Sequence, residues 1–532
     1  MVNACKTEGS VVLDHGPSTI KQTNKLNLEP GIMEVTSLPA VEIMNGAARM
    51  DTKDKSGLIR AFVKGGFLSP ADLLKIMDLS RSLGNKYVLF GSRQDIMFPA
   101  NGADEQTIER AFRPLNTDYE LGSDQSVYQN IVSSYLAVNV VETIPWVKED
   151  TYHVIIDNFD YRPKLKINIV DPVQSIVPLF TGELNFIAST EENYWYLYLR
   201  DPRKGNAVEC WPMLVSSHDI AKLSKELEDV ILNFLPFTVA ELFMIIKNAR
   251  RIIYKNITEP LKFPENVFPY YEGLNAMRNN QFWLGLYWRN NQYDIDFMSA
   301  ACRLCQETNI GKINIIPWKA FVIKGIKTSD KIRWEKLMGK FGINERHSSI
   351  ELNWHLPVVD REALELKRFL VRELDQQDIS THGLTFTIKT NREMFYFTSI
   401  VIERVKETEI NPGERYDILY AKNFDPNNSE YIPYARNVRK EIIPALLIEL
   451  SKLYFRQLNR EKDKGSEKFE DAQVNGSSTS YQCSNCLTIY DKKYGDPTSN
   501  IPPGIAFEKL PDSYKCHVCD SPKKYFVPVR DY

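Results

Sequence analysis

The apolar pattern between residues 60 and 112 changes period in a recognisable order. A short strand from Arg60 is followed by a helical stretch opened by Ser69-Pro70, with Asp72 in its first turn. Ser at the N-cap and Pro at the first helical position are start signals for a helix. A strand at 86–90, a turn at Gly91-Ser92, a second short strand and a helix over 105–112 complete the unit. Some 226 residues later the order returns: the strand FWLGLYWRN, a helix over 294–309, strands at 312–316 and 321–326 around Pro317-Trp318, and a helix over 330–341. Lys86 overlays Lys312 and Arg93 overlays Lys319. A strand-helix-strand-strand-helix unit used twice predicts an α+β protein of two pseudo-equivalent halves.

The pattern fades at both ends. Residues 1–57, with scattered apolar positions and the charge run Asp51-Thr-Lys-Asp-Lys55, read as a poorly ordered extension with a short strand near 41–44. The stretch REKDKGSEKFEDAQVNGSSTS at 460–480 is charged and then Gly/Ser-rich, and reads as a flexible linker. The expected organisation is a first half at 58–262, a second half at 263–459, the linker, and a compact module at 481–532.

Composition narrows the function classes. The 532 residues carry 66 Lys and Arg against 69 Asp and Glu, a net charge of −3, so no global basic field suggests nucleic acid as a partner. No apolar run approaches the roughly 20 residues of a membrane span, and the first residues lack the pattern of a secretory signal. The expected location is the cytoplasm. Six of the eight cysteines form three Cys-x-x-Cys pairs: 302/305, 483/486 and 516/519. In that setting paired thiols point to a metal or to redox chemistry before cystines.

In the C-terminal module, Cys483-x2-Cys486 and Cys516-x2-Cys519 are separated by 29 residues. Two such pairs can close a tetrahedral four-thiolate site, either for structural zinc or for iron. The intervening residues bear on that choice. Tyr481, Tyr490-Asp491, Gly495-Asp496-Pro497, Ile501-Pro502-Pro503-Gly504, Phe507, Leu510-Pro511-Asp512 and Phe526 follow the rubredoxin pattern in order and spacing, so 481–528 resembles that family. The resemblance implies one iron ion, held by Cys483, Cys486, Cys516 and Cys519, that carries one electron. Four positions depart from the family: Leu487 and Asp520 replace glycines, Tyr514 a tryptophan and His517 a proline. With seven bases against six acids over 481–532, the module is also less acidic than rubredoxins usually are.

The body resembles the ferredoxin-like halves of the siroheme nitrite/sulfite reductases. The matching segments are Gly91-Ser-Arg93-Gln94, Arg162-Pro-Lys164-Leu-Lys166 and Leu284-Gly285-Leu286. The resemblance implies that Arg93, Lys164 and Lys166 converge on an anion or on a tetrapyrrole carboxylate, with the two lysines alternating along one strand face. The family's cluster-binding Cys-x5-Cys and Cys-x3-Cys have no counterpart, since residues 306–482 contain no cysteine. Thr390 and Met394 stand where the second thiolate pair belongs, Gln129-Asn130-Ile131 replaces an Arg-Asn-Val segment, and Arg200-Asp-Pro-Arg-Lys-Gly replaces a glycine-rich stretch. No [4Fe-4S] cluster is expected.

Cys302 and Cys305 stand i, i+3 in an apolar helix stripe and read as core thiols, with Cys5 and Cys210 as lone cysteines. His355, His382 and Met394 read as ordinary residues, with haem ligation as the alternative. Three functions stay open. The first is an electron carrier whose rubredoxin module is tethered to a scaffold that docks a redox partner, a reductase or flavoprotein. The second is a siroheme- or haem-dependent nitrite or sulfite oxidoreductase fed by its own rubredoxin. The third is a non-catalytic tetrapyrrole-binding or assembly protein with a zinc ribbon.

Overall fold

A computed structural model describes residues 57–532 apart from 116, 123–126, 202–204, 234–237, 250–251, 264–267, 278–279, 391–394, 407–412, 468–479, 485–488, 493–494, 497–498, 500, 503, 517–520 and 529–532. The N-terminal extension through residue 56, with its expected strand at 41–44, lies outside the described residues. The chain divides into two compact units, 1–451 and 452–532.

The first unit is built on the repeat. The helix Pro70–Ser82 starts where Ser69 Oγ accepts the Asp72 N–H, and the helix Ile295–Glu307 where Asp294 caps Phe297. These two helices pack together, with Arg81 Nη2 bonded to Asp296 at 2.8 Å and to Ser299 Oγ at 3.1 Å. Their inward faces share one core with Ile59, Phe90, Phe98, Leu286 and Phe321. Cys302 and Cys305 are fully buried in it.

Each copy of the repeat lends a strand to the other. Phe67–Leu68 joins the sheet of the second copy, pairing antiparallel with Asn314 and Ile313. Tyr293–Asp294 joins the sheet of the first, pairing with Val88 and Tyr87. The resulting five-stranded sheets therefore contain residues from both halves. Gly285 shows how tightly the second is packed: a Cβ there would lie 1.7 Å from the Tyr271 carbonyl oxygen, so only glycine fits between the strands Gly273–Ala276 and Gln281–Tyr287.

The likeness of the halves continues into a second pair of sheets. In the first half Val132–Ser133, Ile167–Val170 and Leu184–Ala188 run parallel, and Tyr194–Arg200 then pairs antiparallel. In the second half Trp354–His355, Phe386–Lys389 and Ile400–Arg404 are parallel, with Tyr416–Ala421 antiparallel. Ile167–Val170 and Leu184–Ala188 are buried throughout, as parallel strands covered on both faces are. Thus the body is α+β, as its periodicity predicts.

One strand begins later than expected. Lys164 and Lys166 precede the strand Ile167–Val170, and Lys164 sits in a bend. The backbone N–H groups of Lys164 and Leu165 donate to Glu228 Oε2 at 2.6 and 2.8 Å, and that of Lys166 to Glu183 Oε2 at 2.5 Å. Carboxylates from distant segments thus satisfy donors that a strand ladder would otherwise take up.

The helix Ile443–Glu467 runs from the first unit into the second. The stretch read as a linker from residue 460 therefore begins as its last turns, and 468–479 lie outside the described residues. The second unit contains a three-stranded antiparallel sheet, Ile489–Asp491 beside Ser480–Cys483 beside Phe526–Pro528. Gly495, at φ 68°, is required by the turn after it: a Cβ would meet the Ile501 carbonyl oxygen at 2.4 Å. Among the described residues no helix is long and apolar enough to cross a membrane.

Candidate functional site

The strand order of the small sheet brings two of the four predicted metal ligands into one core. Cys483 ends its strand opposite Phe526, and the Cys516 N–H donates to Ser521 O at 2.8 Å. Both thiols are completely buried, together with Tyr490, Phe507, Leu510, Tyr514 and Phe526. Phe507 is the hub of the aromatic packing. It stacks on Tyr481 at 4.2 Å between centroids and meets Phe526 at 5.1 Å and Tyr490 at 5.5 Å. Cys486 and Cys519 lie outside the described residues, as do Leu487, His517 and Asp520.

The departure at Tyr514 has a visible accommodation. Its phenol donates to Asp496 Oδ2 at 2.8 Å, and that carboxylate also accepts the Ser499 hydroxyl at 2.9 Å. Burial and the neighbouring Asp496 carboxylate raise the Tyr514 pKa, so the phenol remains a donor. Tyr490 similarly donates to Ile505 O at 2.9 Å. Lys523 Nζ crosses the rim, bonded to Leu510 O at 2.6 Å and Glu508 O at 3.1 Å. Sulfur donors in a dry aromatic wall suit a thiophilic ion. The described half of the donor set therefore fits the four-thiolate centre expected from the spacing.

The other Cys-x-x-Cys pair differs in kind. Burial pushes the Cys302 thiol up to about 12 and raises Cys305 further, leaving both protonated near neutrality. Reactive cysteines need a stabilised thiolate. These two are core residues.

In the body, Arg93 is 8% exposed and its guanidinium is engaged. Nη1 donates to Asn168 Oδ1 at 2.7 Å, and Nη2 donates to the carbonyls of Asn130 and Ile167 at 2.8 and 2.7 Å. Burial lowers its pKa to about 9. Gln94 clamps next to it, donating to Ser133 O and Ile315 O, each at 3.0 Å. Lys319, the overlay of Arg93, likewise donates to a carbonyl, that of Leu356. The two equivalent bases both hold a hairpin to a sheet.

Lys164 is exposed, and Lys166 extends to the face of Phe395, 5.1 Å from its centroid. Arg93, Lys164 and Lys166 thus occupy a buried clamp, a surface bend and an aromatic face. Sequence spacing did not single out Arg200, whose Cζ lies 4.7 Å from the same Phe395 ring. The only signal was its place where a glycine-rich stretch was expected.

The remaining candidates are dispersed. His355 is buried with its ring 4.5 Å from Phe397, and burial, with Lys319 nearby, lowers its pKa well below the ordinary value. His382 is exposed beside Tyr270. Thr390 donates to the Asp360 carboxylate that caps the helix Arg361–Gln376, and Met394 lies outside the described residues. A small cavity of about 30 Å³ is walled by Phe180, Phe268, Trp318 and Phe397, and no described residue lining it is charged.

Comparison with known proteins separates the two parts of the chain. The family model described as Rubredoxin matches residues 480–526. A probable rubredoxin of Methanothermobacter thermautotrophicus is 43% identical over 49 residues, which is 9% of this chain and 78% of that protein. An anaerobic nitric oxide reductase flavorubredoxin of Pectobacterium atrosepticum is 39% identical over 57 residues, 11% of each chain. The solved structure of the Mycobacterium tuberculosis NirA protein superposes with a TM-score of 0.56 at 14% identity, covering 74% of this chain and 79% of that one. At that identity the likeness is one of fold. It agrees with the α+β body expected from the repeat. Through its C-terminal module, the chain belongs to the rubredoxin family.

Proposed function

We propose that this protein is a one-electron carrier, with a rubredoxin-type iron centre tethered to a NirA-like scaffold that docks a redox partner. The observation that carries the reading is the complete burial of Cys483 and Cys516 inside the Phe507-centred aromatic cluster of a rubredoxin-family module. Cys486 and Cys519 complete the proposed ligand set. Held there, iron supplies a reversible one-electron couple.

The residues of the module have separate tasks in this reading. The four cysteines would bind as thiolates, so metal binding displaces their protons. Tyr490, Phe507, Tyr514 and Phe526 exclude water, which limits how far the surroundings must reorganise when the charge changes. Asp496 and Tyr514 keep that wall fixed through their 2.8 Å bond.

The scaffold's role is inferred from what its polar groups do. Arg93 is engaged with the backbone carbonyls of Asn130 and Ile167 rather than held open for a ligand. That engagement favours a docking body over a siroheme enzyme. The partner proposed is a reductase or a flavoprotein.

The test uses the full chain purified from its native host. Stoichiometric iron and a visible thiolate-to-iron absorption bleached by dithionite are expected, without a tetrapyrrole Soret band. Stoichiometric zinc with no iron would sink the electron-transfer reading. A Soret band that reduces after the iron centre, with nitrite or sulfite turnover, would replace the carrier with an enzyme.

A further inference from the structure

The small sheet of the C-terminal module has two unlike faces. Along its strands Tyr481, Cys483, Tyr490 and Phe526 alternate with Gln482, Ile489 and Val527, so the second set faces away from the thiolate core. The register sets Ile489, Gln482 and Val527 opposite one another, in a single row across the three strands. Ile489 is 53% and Val527 49% exposed, and Tyr525, two residues before Val527, is 40% exposed. The solvent face of an antiparallel sheet is ordinarily polar. Here two of the three positions in the row are β-branched and apolar.

The row adjoins the thiolate core through the backbone. Ser484 follows Cys483, and its N–H and its hydroxyl both donate to Tyr525 O, at 2.8 and 2.7 Å. One hydrogen bond and the Ser484 backbone therefore separate Tyr525 from a proposed metal ligand. The charge beside Tyr525 is positive. Lys524 Nζ lies 5.3 Å from the centroid of that ring, and no described carboxylate pairs with it. Nearby acids are committed elsewhere: Glu508 accepts the Tyr481 phenol, Asp496 accepts that of Tyr514, and Asp512 lies 3.8 Å from Lys523.

Recognition surfaces combine a desolvated apolar centre with a polar rim, and the rim charges steer the encounter and select the partner. We propose that the row Ile489–Gln482–Val527, with Tyr525 and Lys524 at its edge, is a docking surface for an acidic flavoprotein that presents an apolar patch edged by carboxylates. The proposal rests on the carrier reading above and adds where the partner sits and the sign of its charge. An unpaired ammonium beside exposed apolar surface attracts a carboxylate rim and repels a basic one.

Titration calorimetry of the full chain with a flavodoxin of net negative charge, at about 20 and 300 mM sodium chloride, tests this. The wild type should bind, at least tenfold more weakly at the higher salt. Val527→Glu sets a carboxylate in the row and should weaken binding at least tenfold. Lys524→Glu should weaken it as much at low salt and little at high salt. No binding by the wild type, or equal binding by wild type and variants, overturns the proposal. Self-association of the wild type that Val527→Glu abolishes gives the face to a second copy and overturns it as well. Should Val527→Glu lose its metal, the exposed Lys524→Glu decides alone. Repeating the titration on zinc-loaded protein separates this proposal from the carrier reading. Docking by the zinc form supports the surface even if native zinc sinks the carrier; native iron without docking keeps the carrier and overturns the surface.

Discussion

The phenol of Tyr514, two residues before Cys516 in the chain, donates a 2.8 Å hydrogen bond to the buried carboxylate of Asp496. That bond lets a tyrosine stand in the wall of the thiolate core where rubredoxins usually carry tryptophan. A buried carboxylate needs donors, and here Tyr514 and Ser499 supply them.

Tyr514→Phe keeps the ring and removes the donor. Leaving a buried acceptor short of a partner costs about 1–3 kcal/mol. The module should therefore unfold at lower temperature and release its metal earlier, followed by loss of visible absorbance on heating. A variant as stable as wild type would mean that water replaces the phenol at no cost.

Arg93 and Lys164 should respond very unequally to truncation. Arg93→Ala leaves Asn168 and two carbonyls without their donor and should destabilise the body by about 3 kcal/mol. Lys164→Ala removes an exposed side chain and should stay within about 0.5 kcal/mol. Urea unfolding of the two variants makes the comparison. Equal, small effects would return Arg93 to the list of ligand-binding residues.

His355 gives the body a pH dependence of known sign. Its folded pKa is depressed by burial and by Lys319, so between that value and the unfolded value of about 6.5 the unfolded chain binds the extra proton. Stability is fully present above about pH 6.5 and falls as pH drops, by up to about 1.4 kcal/mol per pH unit from this group. His355→Gln should flatten the difference in melting temperature between pH 7.5 and 5.5. An unchanged slope would assign the acid sensitivity to other groups.

Cys302 and Cys305 should behave as buried hydrophobes rather than as a redox pair. With both thiols buried and their pKa values raised, labelling by iodoacetamide at pH 7.5 should be negligible in the native state and complete after denaturation. Rapid native labelling, or a disulfide between them under mild oxidant, would contradict the core assignment.

Signals that act over a few residues were legible in the chain by itself. Ser69-Pro70 predicts the start of its helix, and the two Cys-x-x-Cys pairs with their aromatic spacing predict the thiolate module. The return of the same order after 226 residues predicts two equivalent halves. Each of these rests on local backbone preference or on a fixed ligand spacing, so no distant contact is needed to read it.

What lay beyond the sequence depends on groups that meet only after folding. The exchange of Phe67–Leu68 and Tyr293–Asp294 between sheets joins segments more than 200 residues apart. Lys164 and Lys166 look like alternating strand residues until Glu228 and Glu183 take their N–H groups. Arg93 matches an anion-binding pattern, but its three acceptors come from 130, 167 and 168. Arg200 carries no motif, and its contact with the Phe395 ring becomes visible only when the surrounding chain is in place. Burial and hydrogen-bond competition decide what a charged side chain does, and both are properties of the packed structure.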